Sequence, residues 1–175
     1  ANILAFLSEI GSSYYILGNG SNLLISDDGI RKPVIYIGKS FSCVEVNGDT
    51  ITASAGAMLS SVARKAADNM LTGFEFAAGI PGTLGGAVFM NAGAYDGEIK
   101  NVVTKTYYYD VKNDTFGEFT GDENKFGYRD SVYQEKDGLV ILGARFELEK
   151  GDSEAILEKM QGFMRARSEK QPLEY

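Results

Sequence analysis

The 175-residue chain has no histidine, one cysteine (Cys43) and three prolines. Without histidine, Ser-His-Asp and Cys-His nucleophile systems are excluded, and so is a zinc site of the usual His/Cys kind; no metal is expected. One cysteine rules out an internal disulfide, and Cys43 reads as a small buried residue rather than a reactive thiol. No apolar run approaches the length of a membrane span, so no membrane partner is expected. Positive charge is in deficit: 17 Lys and Arg stand against 24 Asp and Glu, a net charge of −7. A nucleic-acid partner, which needs a basic face, is therefore not expected. An anionic ligand would have to be met by local cations or by backbone N–H groups. What is present is ordinary for a globular protein, 44% apolar and 23% charged residues, with length enough for one large domain or two small ones. The chain opens at Ala1, without an initiator methionine and already inside a helical pattern, so residues ahead of it are expected.

Glycine is the residue in excess. Residues 77–95, AAGIPGTLGGAVFMNAGAY, hold five glycines and almost no charge. Glycine carries a backbone-entropy cost, so such a run needs a reason. Either the chain crosses over tightly between packed elements, or its backbone lies directly against a ligand. Pro81-Gly82 marks a turn, and Gly85-Gly86 would leave N–H groups with no side chain in front of them, suited to phosphate oxygens or a flavin ring edge. A second polar glycine loop, Gly18-Asn19-Gly20-Ser21-Asn22, follows a strand pattern. It is neither a G-x-G-x-x-G fingerprint, since Leu23 stands where the third glycine belongs, nor a Walker loop. Taken alone it reads as a phosphate-binding turn or as a plain hairpin loop.

The remaining pattern alternates helices and strands. Ile3, Leu4, Leu7 and Ile10 share one face of a helix over residues 2–10. Strands are expected at Tyr14–Leu17, Leu23–Ile25 and Val34–Ile37, the first of them buried. Phe41–Val46 and Thr50–Ala55 flank Asn47-Gly48-Asp49 as a hairpin. A helix over about 59–69 turns Leu59, Val62, Ala63, Ala66 and Met70 inward and leaves Arg64 and Lys65 in solvent. Val102–Val111, containing Tyr107-Tyr108-Tyr109, pairs through a turn with Thr115–Thr120, and the tyrosines read as sheet surface. Val140, Leu142, Ala144, Phe146 and Leu148 alternate as one strand. Residues 153–168 form a helix with Ile156, Leu157, Met160, Phe163 and Met164 inward, stopped by Pro172. Arg167 and Lys170 near its end are placed to approach an anion. Between strands, Lys125 to Ser131 crowds polar and aromatic groups. Its Arg129 offers either an always-charged fork to a carboxylate or enolate, or an exposed ion pair with Asp130.

Four segments in this order, Gly18–Leu24, Ala78–Ala87 with Asn91–Tyr95, Tyr128–Ser131 and Arg167–Tyr175, resemble those of the UDP-N-acetylenolpyruvoylglucosamine reductases (MurB), flavoenzymes of bacterial peptidoglycan synthesis. The resemblance runs over nearly the whole chain. It implies an α+β fold of the FAD-binding type shared with vanillyl-alcohol oxidase (the PCMH type), with a small α/β subdomain and a larger one built on an antiparallel sheet. The implied division is 1–46 for part of the first FAD subdomain, 47–150 for the second and 151–175 for the start of a substrate domain. FAD would be the cofactor and NADPH the co-substrate, the substrate a UDP-sugar and the location the cytoplasm. Gly18, Asn19, Gly20, Ser21, Asn22 and Leu23 would hold the FAD pyrophosphate. Ala78, Gly79, Ile80, Pro81, Gly82, Thr83, Gly85, Gly86 and Ala87 would line the flavin and its phosphoribityl chain. Asn91, Gly93 and Tyr95 stand behind them, and Val140 completes the cofactor set. Arg129 would be the catalytic arginine over the enolpyruvyl group, with Tyr128 beside it on the substrate. Hydride transfer is then the cofactor's chemistry, and the protein supplies position and charge.

The resemblance also implies two residues that these 175 do not include: a general-acid serine shortly after Tyr175 and a glutamate near the family's C-terminus. The 175 residues alone are therefore expected not to complete the reduction. Three other readings compete: another FAD oxidoreductase of the same fold, though many of those attach FAD through histidine; a non-catalytic FAD-binding module; and a structural α+β domain whose two glycine loops are coincidental.

Overall fold

The computed structural model describes residues 2–95 and 97–170. The elements in chain order are helix α1 (Asn2–Glu9), strands β1 (Tyr15–Leu17), β2 (Val34–Tyr36), β3 (Val44–Asn47) and β4 (Thr50–Ser54), helix α2 (Leu59–Asp68), β5 (Leu71–Thr72), helix α3 (Leu84–Phe89), β6 (Gly93–Ala94), β7 (Gly97–Glu98), β8 (Val103–Asp110), β9 (Thr115–Thr120), helix α4 (Val132–Glu135), β10 (Leu139–Glu147), β11 (Glu149–Lys150) and helix α5 (Ser153–Lys170). The stop expected at Pro172 lies outside the described residues.

An antiparallel five-stranded sheet in the order β3-β4-β10-β8-β9 carries the molecule, and β1 and β2 form a separate parallel pair. The expected hairpin closes through Gly48-Asp49, with Asn47 opposite Thr50 and Gly48 at a φ of 66°. The return from β8 to β9 is fixed by Asp110, whose carboxylate accepts the N–H groups of Lys112 and Asn113. The main core lies between one face of this sheet and α2, α3 and α5. Ile51, Ala144 and Phe146 from the strands meet Leu59, Val62 and Ala66 of α2, Leu84 and Val88 of α3, and Ile156 and Met160 of α5. A smaller core of Leu4, Tyr109, Val111 and Val140 joins α1 and the β1–β2 pair to the sheet.

β10 supplies residues to both cores because it is not a regular strand. Ile141 pairs with Tyr108 and Gly143 with Tyr107, which leaves Leu142 as an extra residue. One extra residue reverses the parity of the side chains. Val140 and Leu142 therefore pack in the smaller core, whereas Ala144 and Phe146, of the same parity in sequence, pack in the main one. Strict alternation along one face does not hold.

Other expectations need correction. Leu23–Ile25 form no strand and Leu24 is fully exposed, because β1 pairs in parallel with β2 instead. Tyr15 and Ile16 are exposed because that pair is only two strands wide. In α1, Leu4 and Leu7 are buried but Ile3 and Ile10 are not, since the smaller core offers a narrow contact. Met70 and Met164 are likewise exposed. Tyr109 is buried, not sheet surface, and its hydroxyl donates to Asp114. Cys43 is exposed beside the edge strand β3.

One buried acid locks the chain between α2 and α3. Glu75 is 3% exposed and accepts the Thr72 hydroxyl at 2.6 Å and the Gly73 N–H at 3.0 Å, with Lys159 of α5 at 3.5 Å. Burial pushes its carboxyl up, but the bonds from Thr72 and Gly73 and the Lys159 charge outweigh burial and hold it below the usual glutamate value. A carboxyl depressed in the folded state contributes stability above its unfolded pKa and loses that contribution as pH falls. The thermal midpoint is thus expected to drop as pH falls below about 4.5, the ordinary glutamate value. Glu75→Gln should flatten that part of the profile. An unchanged slope in Glu75→Gln would assign the acid sensitivity to other carboxylates.

Candidate functional site

Two glycine loops come together beside the sheet. The Asn19 amide donates to the Pro81 carbonyl at 2.6 Å and the Asn22 amide to the Met90 sulfur at 2.9 Å, so the loop after β1 is tied to the loop before α3. Gly18 lies directly against Thr83, and a Cβ there would displace the Thr83 hydroxyl. Between these loops, α3 and the start of β10 runs a cleft of about 780 Å³, within the range of about 300–1,000 Å³ usual for small-molecule sites.

α3 forms despite two glycines in its first turn because the turn that follows β4 supplies its partners. The Leu84 N–H donates to Ala57 O and the Gly85 N–H to Ala55 O, both at 2.8 Å. Gly85 packs against the turn after β4, where its Cβ would sit 3.0 Å from that of Ala55. This N–H is thereby committed to protein and does not face a ligand, contrary to its expected availability. Gly86 is different: a Cβ there meets no protein atom within 4 Å, yet the residue lines the cleft. Its missing side chain is space in the cleft.

Charge is sparse and of one sign. Among the described residues, Arg129 and Arg167 are the only charged ones lining the cleft, in a chain of net charge −7. Arg129 sits in the left-handed region, φ 55°, in a turn closed by reciprocal backbone bonds between Gly127 and Asp130. Gln134 of α4 donates to the Arg129 carbonyl at 2.9 Å and to Phe89 O at 3.1 Å, and the Ser131 hydroxyl donates to Phe89 O at 2.7 Å. The guanidinium donates to Gly93 O at 3.1 Å. Asp130 forms no ion pair with it among the described residues.

Of the residues expected at a site, Gly18–Leu23, Ile80–Thr83, Gly85–Ala87, Gly93, Val140 and Arg129 all line this cleft. Ala78, Gly79, Asn91, Tyr95 and Tyr128 do not. Asn91 is buried and braces the arginine turn: its amide donates to Glu98 and to Gly127 O, both at 2.8 Å, and its oxygen accepts the Lys100 N–H. Tyr95 stacks on Phe163 of α5 with ring centres 4.3 Å apart. Tyr128 is exposed, with the Arg129 guanidinium 5.7 Å from its ring centre. Residues that the sequence did not mark include Tyr14, Phe89 and Ile141; adjacency to a glycine loop or a site strand was their only signal.

The donor set suits a large, flat, anionic nucleotide. Apolar side chains and glycine backbone form the walls, a glycine leaves the central space, and no carboxylate among the lining residues repels a phosphate. FAD therefore fits the residues present.

Comparison with known proteins agrees. A UDP-N-acetylenolpyruvoylglucosamine reductase from Caldanaerobacter subterraneus subsp. tengcongensis is 48% identical over 174 residues, 99% of this chain and 57% of its own length. The solved MurB from Thermus caldophilus superimposes with a TM-score of 0.83 at 33% identity, over 98% of this chain and 60% of that one. The chain thus spans a little over half the length of the relatives it matches. At 13% identity, 6-hydroxy-D-nicotine oxidase from Arthrobacter nicotinovorans covers 84% of this chain and 33% of its own with a TM-score of 0.61, and shares the fold alone. The architecture is the α+β FAD-binding fold of the vanillyl-alcohol oxidase (PCMH) type. The family described as an FAD binding domain matches residues 1–112, well over half of the 175, and the chain belongs to that family.

Proposed function

We propose that this chain is the FAD-binding part of an NADPH-dependent UDP-N-acetylenolpyruvoylglucosamine reductase, an enzyme of peptidoglycan synthesis working in the cytoplasm. The observation that carries the reading is the cleft itself: two glycine loops tied by Asn19, with a fixed arginine as one of the two charged groups lining it among the described residues. The proposal divides the chain into a first FAD subdomain at 1–46, a second at 47–150 and the start of a substrate domain at 151–175.

FAD, when bound, would supply the hydride chemistry. The chain's own residues do the rest. The backbone of Gly18–Leu23, with the Ser21 hydroxyl, would hold the pyrophosphate, Ile80–Thr83 and Gly85–Ala87 would line the flavin and its phosphoribityl chain, and Gly86 makes room at its helix. Arg129 would meet the carboxylate of the enolpyruvyl group and stabilise the charge that builds on it, a preorganised contribution because its backbone and carbonyl are already fixed. Protonating the adjacent carbon needs a donor. The serine that the resemblance assigns to this step is not among these 175 residues, and burial pushes the hydroxyl of Tyr14, which lines the cleft, further up. These residues by themselves are therefore proposed to bind without completing the reaction.

The test is a visible absorption spectrum of the purified chain before and after addition of FAD, with desalting between. A flavin band that survives desalting is expected, with no oxidation of NADPH on adding UDP-N-acetylenolpyruvoylglucosamine. A chain that releases all its flavin would overturn the assignment of the cleft, and turnover would overturn the missing-donor argument.

A further inference from the structure

The proposed function leaves the second cation of the cleft without a role. Arg167 is half-buried near the end of α5, and its side chain lies over Gly79, where a Cβ would stand 3.3 Å from the arginine Cδ. Taking a guanidinium partly out of water is unfavourable unless something pairs with it. Yet Arg167 takes part in none of the ion pairs among the described residues. It lines the cleft at the mouth of the 79–83 loop, and that loop is tied to the 18–22 loop through Asn19.

Its position is held from outside the cleft. Tyr95, in the left-handed region with a φ of 57°, lays its ring flat on Phe163, with 7° between the planes. The Tyr95 hydroxyl donates to the Phe163 carbonyl. In an α-helix that carbonyl is also the acceptor for the N–H four residues on, which is that of Arg167. The stack and the bond thus pin α5 one turn before the arginine. Ile156 and Met160 anchor the turns before that in the main core.

We infer that Arg167 is a phosphoryl-binding residue of the cleft, and that Tyr95 and Phe163 are its positioning residues. A planar fork beside two glycine loops, with no carboxylate among the described residues that line the cleft, matches phosphate oxygens. The phosphoryl group belongs either to the dinucleotide or to the diphosphate of a UDP-sugar. The inference rests on the reading of the cleft as a nucleotide site.

Three probes separate these possibilities: FAD, UDP and inorganic pyrophosphate, each titrated into the wild-type chain and into Arg167→Ala, Arg167→Lys, Tyr95→Phe and Phe163→Ala at two salt concentrations. Arg167→Ala is expected to weaken one of the three by about ten- to a hundredfold, the range for losing a charge-assisted hydrogen bond, and to flatten its salt dependence. Arg167→Lys should recover part of the affinity. Tyr95→Phe and Phe163→Ala should weaken the same probe by a smaller factor at an unchanged far-ultraviolet spectrum. Loss confined to FAD assigns the dinucleotide, and loss confined to UDP assigns the substrate. If the wild type binds FAD and Arg167→Ala binds all three probes equally well, the inference fails while the cofactor site stands. If the wild type binds no FAD, the nucleotide reading fails, and pyrophosphate affinity equal in wild type and Arg167→Ala then removes the inference too.

Discussion

Gly86→Leu is expected to leave the chain folded and to abolish flavin retention. Gly86 lies in α3 with ordinary helical backbone, and no protein atom stands within 4 Å of the position its Cβ would take. Leucine is a far better helix former than glycine, by roughly 0.5–1 kcal/mol. The thermal midpoint should therefore hold or rise by a few degrees. The side chain would instead fill the cleft. Forcing atoms into a site that a ligand already packs costs about 1–3 kcal/mol, so FAD affinity should fall by up to about 100-fold. Gly85→Leu is the control one residue away. There the new atoms meet Ala55, with its Cβ at 3.0 Å and its carbonyl at 3.3 Å, and a loss of stability of about 1–3 kcal/mol is expected. Melting curves and flavin retention on desalting read both variants. A Gly86→Leu chain that binds FAD like wild type would move the cofactor out of this cleft.

That contrast also shows where sequence reading reached its limit. The glycine stretch is visible as a candidate site, because five glycines without charge imply either a tight crossover or a backbone laid against a ligand. The helix inside it is not visible, because glycine propensity argues against one, and the carbonyls of Ala55 and Ala57 that anchor it arrive from a turn nearly 30 residues earlier. The β3–β4 hairpin, α2 and α5 are legible because their periodicity is local. The register break at Leu142 is not, since apolar residues continue on both parities and only pairing with β8 reveals the extra residue. Among site residues, Asn91 and Tyr95 lie at the end of the glycine stretch and so look like ligand contacts. The structure turns them away, one to brace the arginine turn and the other to hold α5. Arg167 is hard to weigh in sequence because a cation on a helix end is ordinary. What singles it out is half-burial with no ion pair among the described residues, and that appears only in three dimensions.

Arg129 carries the other large expected effect, and it separates stability from rate. A non-glycine residue in the left-handed region is disfavoured by about 1–2 kcal/mol; here the turn from Gly127 to Asp130 and the Gln134 amide impose it. Strain of this kind at a candidate reacting group suggests that the position is kept for function. Arg129→Gly removes the strain, loses one exposed bond to Gly93 O and adds chain entropy to the unfolded state, so its net stability change should stay within about 1 kcal/mol. The reaction should respond otherwise. Removing a preorganised group that meets developing charge lowers kcat by about 10²–10³. Arg129→Lys keeps both the backbone strain and the charge but lacks the planar fork. It should melt like wild type and recover only part of the rate. The measurement is steady-state reduction of UDP-N-acetylenolpyruvoylglucosamine with NADPH, beside thermal melts, in a protein that joins these residues to the part of its relatives' length they do not span. Wild-type kcat in Arg129→Lys would show that charge alone suffices and the fork is idle. Wild-type kcat in Arg129→Gly would take the residue out of the reaction, and leave the strained turn without a functional explanation.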